Sequence, residues 1–434
     1  MKTAIRTLAS AMALSLATPL CAQPAVEDKA ALDALVDGYV ERGVFPVLYV
    51  RVEDRDGNIV YEHGVNNPEL APAAPVNGES WLRIWSMSKI VTISAALDMI
   101  EDGLLTFDDP VAKFIPEFKD LEVAVAPSGN SLTDMTPGGI GAEDPDTGKS
   151  EVRCPFETVP AMRPMTVRDL LNHEAGFYYG VTHVPCINEA IGAQAIAQAS
   201  SSDDLINRMA ALPLIQQPGE RYFYGTNTTV LGLVMERAAN QSLADIVEAR
   251  VTKPLGITNL RYGLPEGETL LPRFTGKDGA LRVADPAELD IFASPPPGYS
   301  LSGELYLGGE GMVATTAAYA DFLHMLLGRG KVGDTRILDE MTIEALSSPQ
   351  TQLNSEWGHN GWNLWVNSGK LSNGEQGIGN LWIGGGYEGT AFWVDHENGL
   401  IGLINTQVHS APEGGGLAVE TIREAIYSRL TRGE

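Results

Sequence analysis

Cysteine is scarce in this chain: three in 434 residues, none in the close-pair spacing that a zinc site needs. Cations are short as well. Lys and Arg number 30 against 56 Asp and Glu, which leaves a formal charge of −26 and a pI near 4.6. A surface that acidic repels phosphate backbones and anionic lipid, so nucleic acid is disfavoured as a partner. Beyond residue 22 no apolar run is long enough for a transmembrane helix, which argues against stable membrane insertion. Gly-x-Ser-x-Gly is missing, and with it a Ser-His-Asp hydrolase of the α/β type. His-Glu-x-x-His and the Walker pattern are missing too, and Lys-Thr-Gly occurs nowhere. No metal and no cofactor is implied.

What is present suits an ordinary globular protein, with 44% hydrophobic and 20% charged residues and enough length for two lobes. Residues 1–22 read as a secretory signal peptide: Lys2 and Arg6, an apolar stretch from 8 to 20, then Cys-Ala-Gln. Export to the periplasm or the medium is the expectation. Cys21 admits lipid attachment as an alternative, against which stands the bulky Leu20. Cleavage removes two cations and no acids, so the mature chain carries 28 against 56, or −28. Cys154 and Cys186 then remain, and in an exported chain a lone pair is most simply a disulfide.

Strand patterns lie at both ends of the chain, helical ones between. Residues 27–42 place Leu32, Leu35, Val36 and Tyr39 on one side of a helix. Strands are expected at 47–52 and 58–62, joined by an Asp56-Gly57 turn. Helical patterns follow at 166–173, 202–211 and 228–240, with a Pro/Gly-rich insert at 137–148. After a Gly308-Gly-Glu-Gly311 segment come a helix over 316–327, strands at 381–386, 390–395 and 399–406, and a closing helix over 416–430. This predicts an α/β (α+β) fold. An antiparallel sheet built from both chain ends and flanked by helices would take residues 23–104 and 290–434. A mostly helical domain, 105–289, would be inserted in it and carry a long loop, 126–163.

The chemistry centres on Ser86-Met-Ser-Lys89. It opens an apolar-periodic run, Ile90, Ile93, Leu97, Ile100 and Leu104, that predicts a buried helix stopped at Gly103. Three apart on a helix, Ser86 and Lys89 share a face, so hydroxyl and amine can touch. A serine in the first turn also lies over the positive end of the helix dipole. These are the parts of an activated nucleophile, although two fixed residues alone are a weak pattern.

Longer motifs accompany it: Arg83-Ile-Trp-Ser-Met-Ser-Lys89, Leu104-Leu-Thr-Phe-Asp-Asp-Pro-Val-Ala-Lys-Phe-Ile-Pro116, and Met165-Thr-Val-Arg-Asp-Leu-Leu-Asn-His-Glu-Ala-Gly176. Then come Pro218-Gly-Glu-Arg-Tyr-Phe-Tyr-Gly225 and Gly384-Gly-Gly-Tyr-Glu-Gly-Thr-Ala-Phe-Trp-Val-Asp395. With these, nearly the whole mature chain resembles the serine β-lactamase and penicillin-binding superfamily. It most resembles the class C β-lactamase-like branch that includes the family VIII carboxylesterases. The resemblance implies Ser86 as the acylated nucleophile and Lys89 with Tyr224 as its proton relay. It also implies the backbone N–H groups of Ser86 and Tyr387 as oxyanion donors.

Two departures from the family pattern concern the substrate side. After Tyr224 the family often has Asn two positions on; here the order is Gly225-Thr226-Asn227, so either Thr226 or Asn227 takes that place. The third motif should read Lys, His or Trp, then a small residue, then Gly. Counting back from Gly389-Thr390 gives Gly384-Gly385-Gly386, with Trp382 two residues earlier. His173 reads as a structural loop histidine, and Asp169 and Glu174 as cap or solvent residues.

The missing lysine bears on the substrate, because in β-lactamases and peptidases it supplies positive charge near a carboxylate. Without it, and with Trp382, Tyr387 and Trp393 nearby, an ester with a modest acyl group fits better than a lactam. The expected function is an exported serine hydrolase, a carboxylesterase on small esters. The alternatives are a β-lactamase or D,D-peptidase, and a non-catalytic penicillin-binding homologue.

Overall fold

In the computed structural model, residues 24–71, 76–133, 153–285, 288, 291–292 and 305–431 are described. The candidate leader and the Pro/Gly-rich stretch 137–148 lie outside the described residues.

The opening helix, α1 (Lys29–Glu41), buries Leu32, Val36, Tyr39 and Val40, the face its spacing predicts, with Leu35 half-covered. The nucleophile run forms α2 (Ser88–Glu101), which is buried nearly all round: Ser88, Lys89, Thr92 and Ser94 are covered along with Ile90, Ile93 and Leu97. Its apolar stripe ends a turn earlier than expected. Ile100 is half-covered and Leu104 exposed, while Gly103 takes the left-handed φ of 73° that stops the helix.

Among the described residues, five α-helices lie in the middle of the chain: α3 (Val167–Leu171), α4 (Pro185–Gln194), α5 (Ser202–Ala210), α6 (Asn227–Ala239) and α7 (Leu243–Val247). They are followed by α8 (Thr316–Leu327), α9 (Glu340–Ser347) and α10 (Ala418–Tyr427). α3 starts on a capping box between Thr166 and Asp169. Asp169 is therefore a cap but not a solvent residue: it is buried, and Arg163 grips both its oxygens at 2.7 Å.

Among the described residues the main sheet has eight strands. Two come early, β1 (Val47–Asp54) and β2 (Ile59–Asn66), and six come late. The late ones are β3 (Asn354–Ser355), β4 (Gly358–Asn360), β5 (Trp365–Asn367), β6 (Trp382–Gly385), β7 (Ala391–Asp395) and β8 (Leu400–Asn405). The order is β3-β4-β5-β6-β7-β8-β1-β2, antiparallel throughout. At the β8–β1 seam Leu403 pairs with Arg51 and Asn405 with Tyr49, so both chain ends do build one sheet.

Alternation along the strands sorts two apolar clusters. Phe392, Val394, Ile401 and Leu403 face the cluster that also holds α2, α6 and α8; Trp393, Leu400 and Ile404 face α1 and α10. Each fully buried Val, Leu or Ile contributes roughly 1.5–3 kcal/mol. The sheet therefore gains on both faces, with α8 packed on β7 and β8 and α2 packed against α6.

The expected 126–163 loop is not irregular at its return limb. Glu157–Pro160 forms a strand antiparallel to Glu122–Val125, so the excursion leaves and returns on a hairpin. Cys154 and Cys186 are disulfide-bonded and tie that limb to α4. No helix of the described residues is long and apolar enough to cross a membrane.

Candidate active site

Ser86 lies in a single 3₁₀ turn, Trp85–Met87, immediately ahead of α2 rather than within it as its spacing predicts. The break is made at Trp85, whose φ of 46° is left-handed. For a bulky L residue that conformation costs on the order of 1–3 kcal/mol, so its surroundings must hold it. They do. Arg273 lies 5.5 Å from the Trp85 ring while pairing with the buried Glu388 carboxylate at 3.1 Å.

Two groups converge on Ser86 Oγ. The Tyr224 hydroxyl donates to it at 2.8 Å and Lys89 Nζ at 3.1 Å. Lys89 stands in the first turn of α2, and Tyr224 closes the loop that feeds α6. Lys89 is fully buried and also donates to the Tyr179 hydroxyl and the Gly309 carbonyl, both at 2.9 Å. A Glu310 oxygen lies 3.4 Å from Nζ. Tyr179 donates in turn to Glu310, and Thr229 Oγ1 donates to the second carboxylate oxygen at 2.6 Å.

Sequence reasoning missed Tyr179 and Glu310. Tyr179, in Phe177-Tyr-Tyr-Gly180, has the look of core. Glu310 offered one signal: an acid set among glycines just before a helix that is apolar nearly all round.

His173 takes the structural place expected of it. It is fully buried, and its Nδ1 faces the Gly225 N–H and the Asn227 amide, each at 3.3 Å. Burial first, and then the Lys89 charge, push its pKa down to about 3, with a hydrogen bond to Asn363 acting the other way. The imidazole is neutral wherever the protein is folded at ordinary pH. Thr226 and Asn227 do not face the cavity at Ser86. Both are buried and bond backward, Thr226 Oγ1 to the Tyr178 carbonyl at 3.4 Å and Asn227 to the Phe177 carbonyl at 3.3 Å. They brace the backbone behind Tyr224.

On the opposite side, the end of β6 runs alongside the nucleophile turn. A Cβ at Gly386 would sit 2.5 Å from the Ile84 carbonyl, so only glycine permits the approach. Tyr387 then meets Trp85 edge-on, ring centroids 5.4 Å apart, and its hydroxyl shares a hydrogen bond with His409 at 2.8 Å. Residues 386–387 and 84–86 are thus neighbours, as a shared pair of oxyanion donors requires.

A cavity of about 210 Å³ opens at Ser86, walled by Tyr222, Tyr224, Leu353, Trp365 and Ile383, with Gly384 and Gly385 also lining it. Trp382 does not line it. It packs inward against His396 with ring centroids 4.1 Å apart. Trp393 points to the other face of the sheet, its indole donating to the Tyr427 hydroxyl at 3.1 Å. The apolar lining expected from those two tryptophans comes from Trp365, Leu353 and Ile383 instead. At Gly384 a Cβ would sit 2.6 Å from the ring of Phe392, its partner across β6 and β7. Phe392 occupies the room a third-motif side chain would need.

Residues 32–425 match the family model described as beta-lactamase. The chain belongs to the beta-lactamase family. Within it, lovastatin esterase from Penicillium rubens is 26% identical over 425 residues, covering 92% of this chain and 98% of its own length. A Mycobacterium tuberculosis protein described as uncharacterized is 26% identical over 289 residues; the match covers 64% of this chain and 61% of that protein. Among solved structures, EstCE1, a hydrolase with promiscuous acyltransferase activity, superposes with a TM-score of 0.71 at 19% identity, over 92% of this chain and 98% of its own. The relatives it matches include proteins named as esterases. For a beta-lactamase-family chain, the third motif is the anomaly: Gly384 brings no side chain, and Phe392 has taken its volume.

Proposed function

We propose that the protein is a carboxylesterase for esters with a small apolar acyl group, working through an acyl-Ser86 intermediate. The carrying observation is the convergence of Tyr224 and Lys89 on Ser86 Oγ at 2.8 and 3.1 Å. Ser86 attacks the ester carbonyl while its proton passes into the Lys89–Tyr224 relay. The N–H groups of Ser86 and Tyr387 receive the oxyanion. Collapse breaks the ester C–O bond, and Tyr224 hands the proton to the departing alcohol. Water then attacks the acyl carbon, yields its proton to the relay, and the second collapse returns a proton to Ser86 as the acid leaves.

The cavity supports an ester over a lactam. None of the described residues that line it is Lys or Arg, so a lactam carboxylate meets no cation there. Its volume of about 210 Å³ falls below the roughly 300–1,000 Å³ of pockets for drug-sized ligands, which suits a small acyl group. The likeness to lovastatin esterase points the same way. Export is part of the proposal too, since a disulfide such as Cys154–Cys186 persists in oxidising compartments.

The test compares p-nitrophenyl butyrate, nitrocefin and a D-Ala-D-Ala peptide on one preparation. The ester should be turned over fastest, and Ser86→Ala should abolish that turnover. Full activity in Ser86→Ala sinks the mechanism. Faster turnover of nitrocefin or the peptide replaces the ester reading by a β-lactamase or D,D-peptidase one. No turnover of any of the three leaves a binding homologue.

A further inference from the structure

We propose that Glu310 is a positioning residue that fixes the charge of the relay: its carboxylate is the buried counter-ion that holds Lys89 as an ammonium in the resting site. The inference rests on the Ser86 mechanism above, but not on the identity of the substrate.

The pair is sealed from solvent, with side chains 0% and 1% exposed and Nζ 3.4 Å from Oε1. An isolated charge at that depth is expensive, and so is half of a pair. Both members are satisfied as ions. Thr229 and Tyr179 each donate to Glu310, one to each oxygen, which is the pattern a carboxylate wants. The Gly309 carbonyl can only accept, and the Tyr179 proton is committed to Glu310, so Nζ meets both as a donor. The third N–H is shared by Ser86 Oγ at 3.1 Å and Glu310 Oε1 at 3.4 Å. An amine that gives all three N–H groups has no lone pair to take the serine proton. That proton goes to Tyr224 only once the phenol has lost its own: as a phenolate Tyr224 accepts it across the 2.8 Å contact, and Lys89 serves by placing positive charge beside it, 5.0 Å from the Tyr224 ring centroid.

The other titratable groups around the pair do not replace Glu310. His173, stacked against Tyr224, is neutral. Tyr262, behind Glu310, is pushed up by burial and then by the charges of Glu310 and Glu236. Glu236 lies further along α6, bonded to Ser202 and the Leu243 N–H.

The test follows the rate at which a fluorophosphonate labels Ser86 as a function of pH, a readout that needs a nucleophilic serine but no particular ester. Glu310→Gln keeps the shape and removes the charge. The basic limb of its labelling profile should move at least one pH unit toward neutrality, because Lys89 gives up its proton sooner without the counter-ion. Thr229→Val, which keeps the charge, should lower the amplitude and leave the limb in place. A Glu310→Gln profile reduced in height but unmoved, or one in which the acid limb moves down instead, overturns the proposal. If Glu310→Gln does not fold, Lys89→Met and the Lys89→Met/Glu310→Gln double variant replace it. The double variant should melt above Lys89→Met, which strands a buried carboxylate, and an equal or lower melting temperature overturns the pairing. Failure of wild type to label at all would strike the Ser86 mechanism rather than the role of Glu310. Labelling without ester turnover would strike the ester reading alone.

Discussion

The imidazole of His173 stacks on the ring of Tyr224, centroids 4.9 Å apart and planes 14° from parallel. The contact fixes the plane of the phenol whose hydroxyl reaches Ser86. His173→Ala removes the platform and should lower kcat on p-nitrophenyl butyrate by about 10- to 100-fold, since small misplacements of a reacting group cost that much. KM should change little, because His173 does not touch the cavity. Steady-state kinetics on the purified variant checks this.

The same histidine makes a stability prediction. Its pKa falls from 6.5 to about 3 on folding, mainly through burial, so below pH 6.5 the unfolded chain binds a proton that the folded one refuses. Stability is therefore lost as pH drops through the window from about 6.5 toward 3, by up to about 1.4 kcal/mol per pH unit. Thermal melts at pH 7, 6, 5 and 4 should show a steeper decline for wild type than for His173→Gln. Parallel declines would refute the assignment.

Gly384 and Phe392 compete for one volume. Gly384→Trp should overpack it, at a cost of about 1–3 kcal/mol, and depress both melting temperature and ester turnover. Adding Phe392→Ala should restore much of the melting temperature, because the ring that blocks the space is gone. A single variant as stable as wild type would show the volume to be unoccupied.

Trp365 walls the cavity from β5. Trp365→Ala should shift the acyl-chain preference upward in length, with kcat/KM rising for p-nitrophenyl octanoate relative to the butyrate. An unchanged ratio across the C2 to C8 series would place the acyl group elsewhere.

The Cys154–Cys186 bridge closes a loop of sequence separation 32. In the chain-entropy picture that is worth about 3–4 kcal/mol. Melting with and without reductant should differ accordingly, and the Cys154→Ser/Cys186→Ser variant should melt at the reduced value with or without reductant.

What could be read from the sequence was what repeats or what is adjacent. α1, α5, α6, α8 and the strands β1, β2, β7 and β8 emerge from the period of their apolar residues, and the β1–β2 pairing from Asp56-Gly57. Ser86 and Lys89 emerge from a spacing of three, and Tyr224 from its place after Pro218-Gly219. β3, β4 and β5 escaped because two or three residues are too short for a period to register. α4 escaped because Val184 at its N-cap position offers no side-chain cap, leaving Pro185 as its one start signal. Trp382 was misjudged for a different reason. Strand period assigns a residue to a face, but not to the part of that face left open, and His396 closes the part beneath Trp382. Tyr179 and Glu310 meet Lys89 from places 90 and 221 residues away, and no local pattern encodes such a meeting.

The β8–β1 seam also sets the order in which this protein can come into being. Strands about 350 residues apart in the chain must zip together before the sheet is continuous, which puts the decisive pairing at the end of synthesis. Until residues 381–405 have emerged, the nucleophile turn has no neighbour at Gly386 and Tyr387, and the Arg273 that lies on the left-handed Trp85 has no Glu388 to pair with. A nascent or truncated chain would carry Ser86 and Lys89 in an unassembled site, so reactivity switches on with the last strands rather than accumulating along the way.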